Sequence, residues 1–326
     1  MTAPDDAPAQ PLVPLPVDEA AAPPPDPSAE PAGYLVTVDD AVRLHFLDWG
    51  APLGPQATEA AGALERPTVV LIHGIAQTGV IWAPVARRLR GSCAVVAMDL
   101  RGHGLSDSPT HGYEPASLAG DVEAVIDASA GSGRPPERVV LVGHGFGAMV
   151  AAWAAAGLGD RCVGLVLVDG GWEDIAASNA LDPAEFLHAI EEPPEVLRSM
   201  GAYLADRRSF DAQTWDADQE AAARAAVVEV PAGKVVLGVR PHALAASVEA
   251  MFSYRPVPAL SAVRAPIVAL IAADDDGSRS AALDDVAHAL SQAGRPPIRR
   301  VDLRASGHNL MRYRPAAVTA AILAID

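Results

Sequence analysis

The sequence predicts an α/β fold, a mostly parallel β-sheet covered by helices on both faces. Three observations carry this. Short, continuous apolar runs recur along the chain, the texture of strands buried on both sides. Helical stretches separate most of them, and repeated strand–helix–strand order gives a parallel sheet. One run ends in a Gly-rich turn that opens an Ala-rich helix, a setting in which such sheets display reactive groups.

The elements follow in order. Residues 34–38 (YLVTV) read as a strand, with 43–49 as its hairpin partner. Residues 50–67 are an Ala/Gly/Pro-rich surface loop. The buried runs are 68–72 (TVVLI), 94–98 (AVVAM), 138–142 (RVVLV), 163–168 (VGLVLV), 267–271 (IVALI) and 298–302 (IRRVD). Helices are expected near 81–90, 116–130, 146–157 and 281–293. Between Asp169 and Pro266 there is no clear strand, and the interval is too long for a plain connection. It reads as a mostly helical lid over the end of the sheet, approximately residues 173–258.

Residues 1–33 differ in texture. Residues 1–32 hold ten of the 29 prolines and six acids, with no Lys or Arg. Such a segment buries too little apolar area to offset chain entropy, so a disordered Pro/Ala/acid-rich tail is expected, with residues 34–326 as the folded domain. A protein partner could dock on the tail, but nothing in the residues supports one.

The 326 residues carry 24 Lys and Arg against 41 Asp and Glu, a net charge of −17. This argues against nucleic acid and against an anionic membrane surface, since both need clustered cations. No apolar run approaches the ~18 residues of a membrane-spanning helix. A basic and apolar leader is not evident at the N-terminus, so no signal peptide is expected and the cytoplasm is the expected location. Cys93 and Cys162 read as free thiols, as neither sits in a metal or redox spacing. No pair of histidines has metal-ligand spacing, so neither metal nor cofactor is expected.

Five motifs carry the chemistry. Gly143-His144-Gly145-Phe146-Gly147 follows a buried strand and opens a helix, the context of a nucleophile elbow, with Gly145 at the centre where a nucleophile normally stands. The same glycines allow a dinucleotide loop to be considered. That motif belongs after the first strand of its unit with an acid ending the next, and neither condition holds. His73-Gly74-Ile75, with Trp82 eight residues after Gly74, follows strand 68–72 and suits a loop supplying an oxyanion-hole N–H. Ile75 and Phe146 amides are the candidate donors. DLRGHGLSD (99–107) suits a tight loop whose charges hold it together. An acid at the end of strand 267–271 can hold a histidine. Asp275, nine residues after Pro266, is the first choice over Asp274 and Asp276. Ser306-Gly307-His308 places a general base just before the C-terminal helix.

With these motifs in this order, the chain resembles the α/β-hydrolases of the single-domain, lid-bearing type. The resemblance covers roughly residues 34–326. It implies an eight-stranded sheet, a site at the strand C-termini beneath the lid, and small ester, amide, lactone or related substrates. It also makes Gly145 a departure, because the family's nucleophile position here has no side chain.

Three readings follow. In the first, His308 oriented by Asp275 activates a water in the space the missing side chain leaves, and small ester- or lactone-type substrates are hydrolysed. In the second, the chain is a non-catalytic relative binding a small apolar ligand or a protein partner. In the third, the nucleophile or the acid is displaced: Thr78 or Ser106 supplies the hydroxyl, or the alternative acid is Asp169 at the end of strand 163–168, a position where some members of the family that the chain resembles carry the acid. Trp82, Trp172 and Phe252 are candidate pocket walls, along with Phe186, Tyr203, Trp215 and Met251.

Overall fold

The computed structural model describes residues 10–50, 66–131, 133–178, 181–274, 277–304 and 306–325. The strands of its main sheet are β1 (Leu12–Pro14), β2 (Ala32–Thr37), β3 (Arg43–Asp48), β4 (Thr68–Ile72), β5 (Val95–Met98), β6 (Val139–His144), β7 (Cys162–Val168), β10 (Ile267–Ile271) and β11 (Ile298–Asp302). A separate hairpin, β8 (Val227–Glu229) and β9 (Val235–Leu237), lies in the insertion. The order across the main sheet is β1-β11-β10-β7-β6-β4-β5-β3-β2. Only β3 runs antiparallel to its neighbours, pairing with both β2 and β5.

Helices α1 (Ala83–Leu89), α2 (Pro115–Ala128), α3 (Phe146–Leu158), α10 (Ser278–Gln292) and α12 (Pro315–Leu323) flank the sheet. The two-residue period of the strands divides the apolar side chains between two cores. Val70 and Ile72 of β4 pack towards α2, α3 and α10, while Val69 and Leu71 pack towards α1 and α12. Burial on both faces is why these strands read as unbroken Val/Leu/Ile runs.

The insertion carries α4 (Ile175–Ser178), α5 (Pro183–Ala189), α6 (Met200–Ser209), α7 (Ala217–Ala225), α8 (Pro241–Ser253) and α9 (Pro256–Ser261). Beside these helices the insertion holds the β8–β9 hairpin, whose three-residue strands are too short for a pattern signal. Tyr254 ties the insertion to the sheet. It is fully buried, and its hydroxyl donates to the Gly171 carbonyl at 2.7 Å.

The expectation of a disordered tail is corrected for residues 10–33, and the same segment makes the main sheet nine-stranded where eight strands were expected. β1 adds in parallel to the edge of β11, with Leu15 N–H donating to Arg300 O at 2.8 Å and Ile298 N–H to Pro11 O at 3.1 Å. Proline cannot donate to a ladder, so an outermost strand suits it. The acids of the segment meet cations from elsewhere. Glu19 pairs with Arg314, Glu30 with Arg87 at 3.0 Å and Asp26 with Arg90 at 3.3 Å. Arg88 donates to the Pro23 carbonyl at 2.8 Å, and Ala29 is fully buried. Local composition could not reveal these distant partners. Residues 1–9 lie outside the described residues.

Deleting residues 1–30 removes β1 and these ion pairs. The expected loss is about 2–3 kcal/mol, or roughly 5 °C in melting temperature. Differential scanning fluorimetry checks this, and an unchanged midpoint sinks the docked-segment account.

Candidate functional site

The order of the sheet places the site. The chain leaves β4 towards β5 on one side and returns to β6 on the other, so the loops after β4 and β6 diverge and leave a crevice at their C-terminal ends. The elbow lies in that crevice. Gly145 has φ +53° and ψ −116°, a backbone that glycine adopts without strain. Close approach fixes its neighbours. A Cβ on Gly143 would lie 2.2 Å from the Gly147 carbonyl oxygen, and one on Gly147 would lie 2.4 Å from the Ile72 and His73 carbonyl oxygens. At Gly145 there is room. A Cβ there would lie 3.5 Å from His308 Nε2 and 4.0 Å from the Gly74 Cα.

The loop after β4 supplies the facing wall. His73 is fully buried, and its Nε2 accepts from the Leu100 N–H at 3.0 Å. Nδ1 therefore carries the proton and donates to the Gly74 carbonyl at 2.7 Å. Burial lowers the pKa of this imidazole, keeping it neutral. Ile75 lines the pocket, and Ala76 is held at φ +57°. Phe146 opens α3, so its amide is among the donors that the helix leaves unpaired.

His308 Nδ1 lies 2.6 Å from Asp169 Oδ2, and its ring reaches towards the elbow with its side chain 58% exposed. The carboxylate on His308 Nδ1 is Asp169, the alternative acid. Asp275 itself lies outside the described residues. Asp274 accepts from the Arg279 and Ser280 amides at 3.3 and 2.8 Å, which makes it a local brace at the start of α10. Asp169 is fully buried with φ +50°, an uncommon conformation for a non-glycine residue. Its Oδ1 accepts from the Ala272 N–H at 2.8 Å and from Arg279 Nη1 at 2.8 Å. Burial acts to raise the Asp169 pKa. The His308 bond, the Arg279 charge and the Ala272 N–H outweigh it, and the net shift is downward.

Arg279 and Glu173 are the functional neighbours that the sequence pattern did not reveal. Arg279 Nε donates to Glu173 Oε1 at 2.8 Å, so one guanidinium holds both acids. Both residues line the pocket. An Arg within an acidic loop-and-helix segment carries no local signal of such a role.

His144 packs on His308, ring centroids 4.4 Å apart, and lies within hydrogen-bond distance of Gln77 Oε1 (3.2 Å) and the His308 carbonyl (3.1 Å). Burial and the neighbouring His308 push its pKa well below the usual value, so His144 is neutral at pH 7. Gln77 donates onward to Asn309 Oδ1 at 2.8 Å. Together these groups bound a pocket of about 520 Å³ with an apolar side of Phe146, Met149, Ile175, Phe186 and Met251.

The other sequence candidates fall elsewhere. Trp82 and Trp172 are fully buried in the two cores and line no part of this pocket. Phe252 stands behind Phe186, edge to face at 5.5 Å. Ser106 is engaged structurally, donating to the Asp99 carbonyl at 2.7 Å and accepting from the His45 N–H at 2.9 Å. Thr78 lines an adjoining cavity. In the loop after β5, Asp99 accepts from Gly79 and Leu105 amides at 2.7 and 3.0 Å, and Arg101 pairs with buried Asp121. Burial pushes the Cys93 and Cys162 thiols up to about 12 and about 11, so both are inert at neutral pH. Among the described residues, no group of three or more His, Cys, Asp or Glu could hold a metal. No described helix is long and apolar enough to cross a membrane.

A family model described as the alpha/beta hydrolase family matches residues 69–321. The chain is 30% identical over 169 residues to 2-(acetamidomethylene)succinate hydrolase of Mesorhizobium japonicum, 52% of this chain and 58% of that protein. It is 27% identical over 199 residues to epoxide hydrolase 4 of Mus musculus, 58% of this chain and 51% of that protein. The chain therefore spans only a little over half the length of these curated relatives. The crystal structure of E-2-(acetamidomethylene)succinate hydrolase superposes with a TM-score of 0.68 at 22% identity, covering 91% of this chain and 99% of that one. The thioesterase domain from the curacin biosynthetic pathway superposes at 0.66 and 21% identity, covering 90% and 99%. At these identities the structural likeness speaks for the fold.

A carboxyl that titrates lower folded than unfolded stabilises the fold above its unfolded pKa, near 3.9, and loses that contribution as pH falls through its folded value. Asp169→Asn is therefore expected to lower the melting temperature at pH 7 and to flatten the decline between about pH 5 and pH 2. An identical Tm difference at every pH contradicts the account of Asp169.

Proposed function

The chain belongs to the alpha/beta hydrolase family, and from that premise we propose that it hydrolyses small ester- or lactone-type substrates with a water activated by His308 and Asp169. The observation that carries this reading is the position of His308. Its Nδ1 is held by Asp169 at 2.6 Å while Nε2 faces the space beside Gly145, 3.5 Å from where a Cβ would stand.

In the proposed reaction a water occupies that space and His308 Nε2 takes one of its protons. The hydroxide attacks the substrate carbonyl carbon, and the carbonyl electrons move to oxygen. The Ile75 and Phe146 amides donate to this oxyanion. The tetrahedral adduct collapses, the bond to the leaving oxygen breaks, and His308 returns its proton to that oxygen. Asp169 stays ionised throughout and orients the Nδ1–H. General-base assistance of this kind contributes about 10²–10⁴-fold. No acyl-enzyme forms at residue 145, since glycine offers no nucleophilic atom.

One observation favours the alternative, a non-catalytic protein that binds a small ligand. Arg279 shares Asp169 with His308 and offsets part of the charge that an imidazolium would otherwise use. Turnover separates the two. With p-nitrophenyl esters of increasing chain length, wild type is expected to exceed His308→Ala by about 100-fold or more. Asp169→Asn should fall nearly as far, while Asp275→Asn should retain wild-type rates. Equal background rates in wild type and His308→Ala end the hydrolytic reading.

Gly145→Ser tests the rest of the machinery. Its Oγ falls within hydrogen-bond reach of His308 Nε2, at a cost of about 1–2 kcal/mol for the positive φ. A pre-steady-state burst of p-nitrophenol is expected. A folded variant with neither burst nor turnover shows that the oxyanion donors are misplaced.

A further inference from the structure

A second cavity, of about 190 Å³, adjoins the reaction pocket. The two share walls at Ile75, Gln77, Ile190 and Asn309. Beyond that partition the chemistry changes, because the second cavity is lined by Arg207, Arg312 and the aromatic rings of Tyr203 and Trp215.

Arg312 is the anomaly. It lies in α11 (Leu310–Tyr313), four residues after His308, and is only 8% exposed. Its guanidinium donates to Thr214 Oγ1 at 3.1 Å, the Arg207 carbonyl at 3.1 Å and the Asp211 carbonyl at 2.8 Å. All three acceptors are neutral. One N–H remains on each terminal nitrogen. Among the described residues no carboxylate lies within ion-pair distance of it. A buried cation without a counter-charge is costly, and in a chain of net charge −17 counter-charges are plentiful. The aromatic rings of Trp215 and Tyr313, 5.5 and 5.1 Å from the guanidinium carbon, supply only a partial substitute.

Two more donors in the same cavity lack partners among the described residues. Thr78 is 4% exposed, and its buried hydroxyl makes no hydrogen bond. Arg207 Nε is buried and unbonded. The charges facing the cavity are Arg207, Arg312 and Glu192. Glu192 is engaged by Arg207, which Asp206 also approaches at 3.5 Å. The charge left over is that of Arg312.

We propose that this cavity is a carboxylate-binding subsite. Arg312 supplies the counter-charge, Thr78 and Arg207 supply further donors, and Tyr203 and Trp215 flank the group that carries the acid. The substrate then bears a carboxylate distant from its reacting carbonyl. That last step rests on the hydrolytic reading above, whereas affinity of the cavity for a carboxylate does not.

The test uses benzoate and its neutral isostere benzamide, titrated calorimetrically into the full-length chain. Benzoate is expected to bind wild type at least tenfold more tightly than benzamide, and to bind His308→Ala equally well. Arg312→Met should abolish that preference. Because Arg312 also braces the insertion, Ala223→Leu provides a second variant. It adds bulk to the cavity wall while leaving Arg312 in the sequence, and should weaken benzoate binding at least tenfold. Equal binding of benzoate and benzamide to wild type overturns the proposal, as does undiminished benzoate binding in Ala223→Leu. Turnover of p-nitrophenyl hemiglutarate and p-nitrophenyl valerate separates the two claims. Carboxylate-selective binding with no turnover of either ester retains the subsite and removes the hydrolytic reading. Turnover without any benzoate preference does the reverse.

Discussion

The tight seat of the elbow on itself and against the end of β4 is the constraint on which the site depends. Gly143 and Gly147 leave no room for a Cβ because backbone carbonyl oxygens lie 2.2–2.4 Å from where one would stand. That proximity brings the start of α3 against the His73–Ile75 loop and sets two peptide segments around one point in space. A larger residue at either glycine would push α3 off the sheet. Ile75, Phe146 and His308 would then no longer border one pocket. The geometry is therefore fixed by backbone packing, and it persists whatever side chain position 145 carries.

Electrostatics forms the second layer. Asp169 is buried on a strained backbone and is divided between two cations, with His308 on one oxygen and Arg279 on the other. This division keeps the carboxylate ionised despite its burial, so it can hold the Nδ1–H of His308. It also spreads the charge over more partners than a single histidine. Glu173 also pairs with Arg279, so that guanidinium already faces two carboxylates. In the neighbouring cavity Arg312 meets only neutral acceptors among the described residues.

The sheet was legible in the sequence because its signals are local. A strand buried on both faces must be a continuous apolar run, and the elbow glycines must stand at fixed offsets. Gly145 was read from those offsets, and His308 and the Ile75 loop from their places after strands. The acid was harder to place, because Asp169 and Asp275 both follow a strand in the sequence and the pairing of Asp169 with His308 spans 139 residues. The docking of residues 10–33 was also hidden. Its acids find Arg87, Arg90 and Arg314 at sequence separations of tens to hundreds of residues, and composition counts only what is adjacent. The unpaired state of Arg312 is equally a property of the assembled fold.

Gly145 is where stability and chemistry part. A residue with a side chain at φ +53° carries about 1–2 kcal/mol of strain, which glycine relieves. The fold thus gains slightly from a substitution that removes covalent catalysis. Asp169 also accepts from the Ala272 N–H and Arg279, so an apolar residue at position 169 would leave a buried amide and a guanidinium without their acceptor. The carboxylate therefore serves the fold through one oxygen, and through the other it orients an imidazole that faces an open pocket.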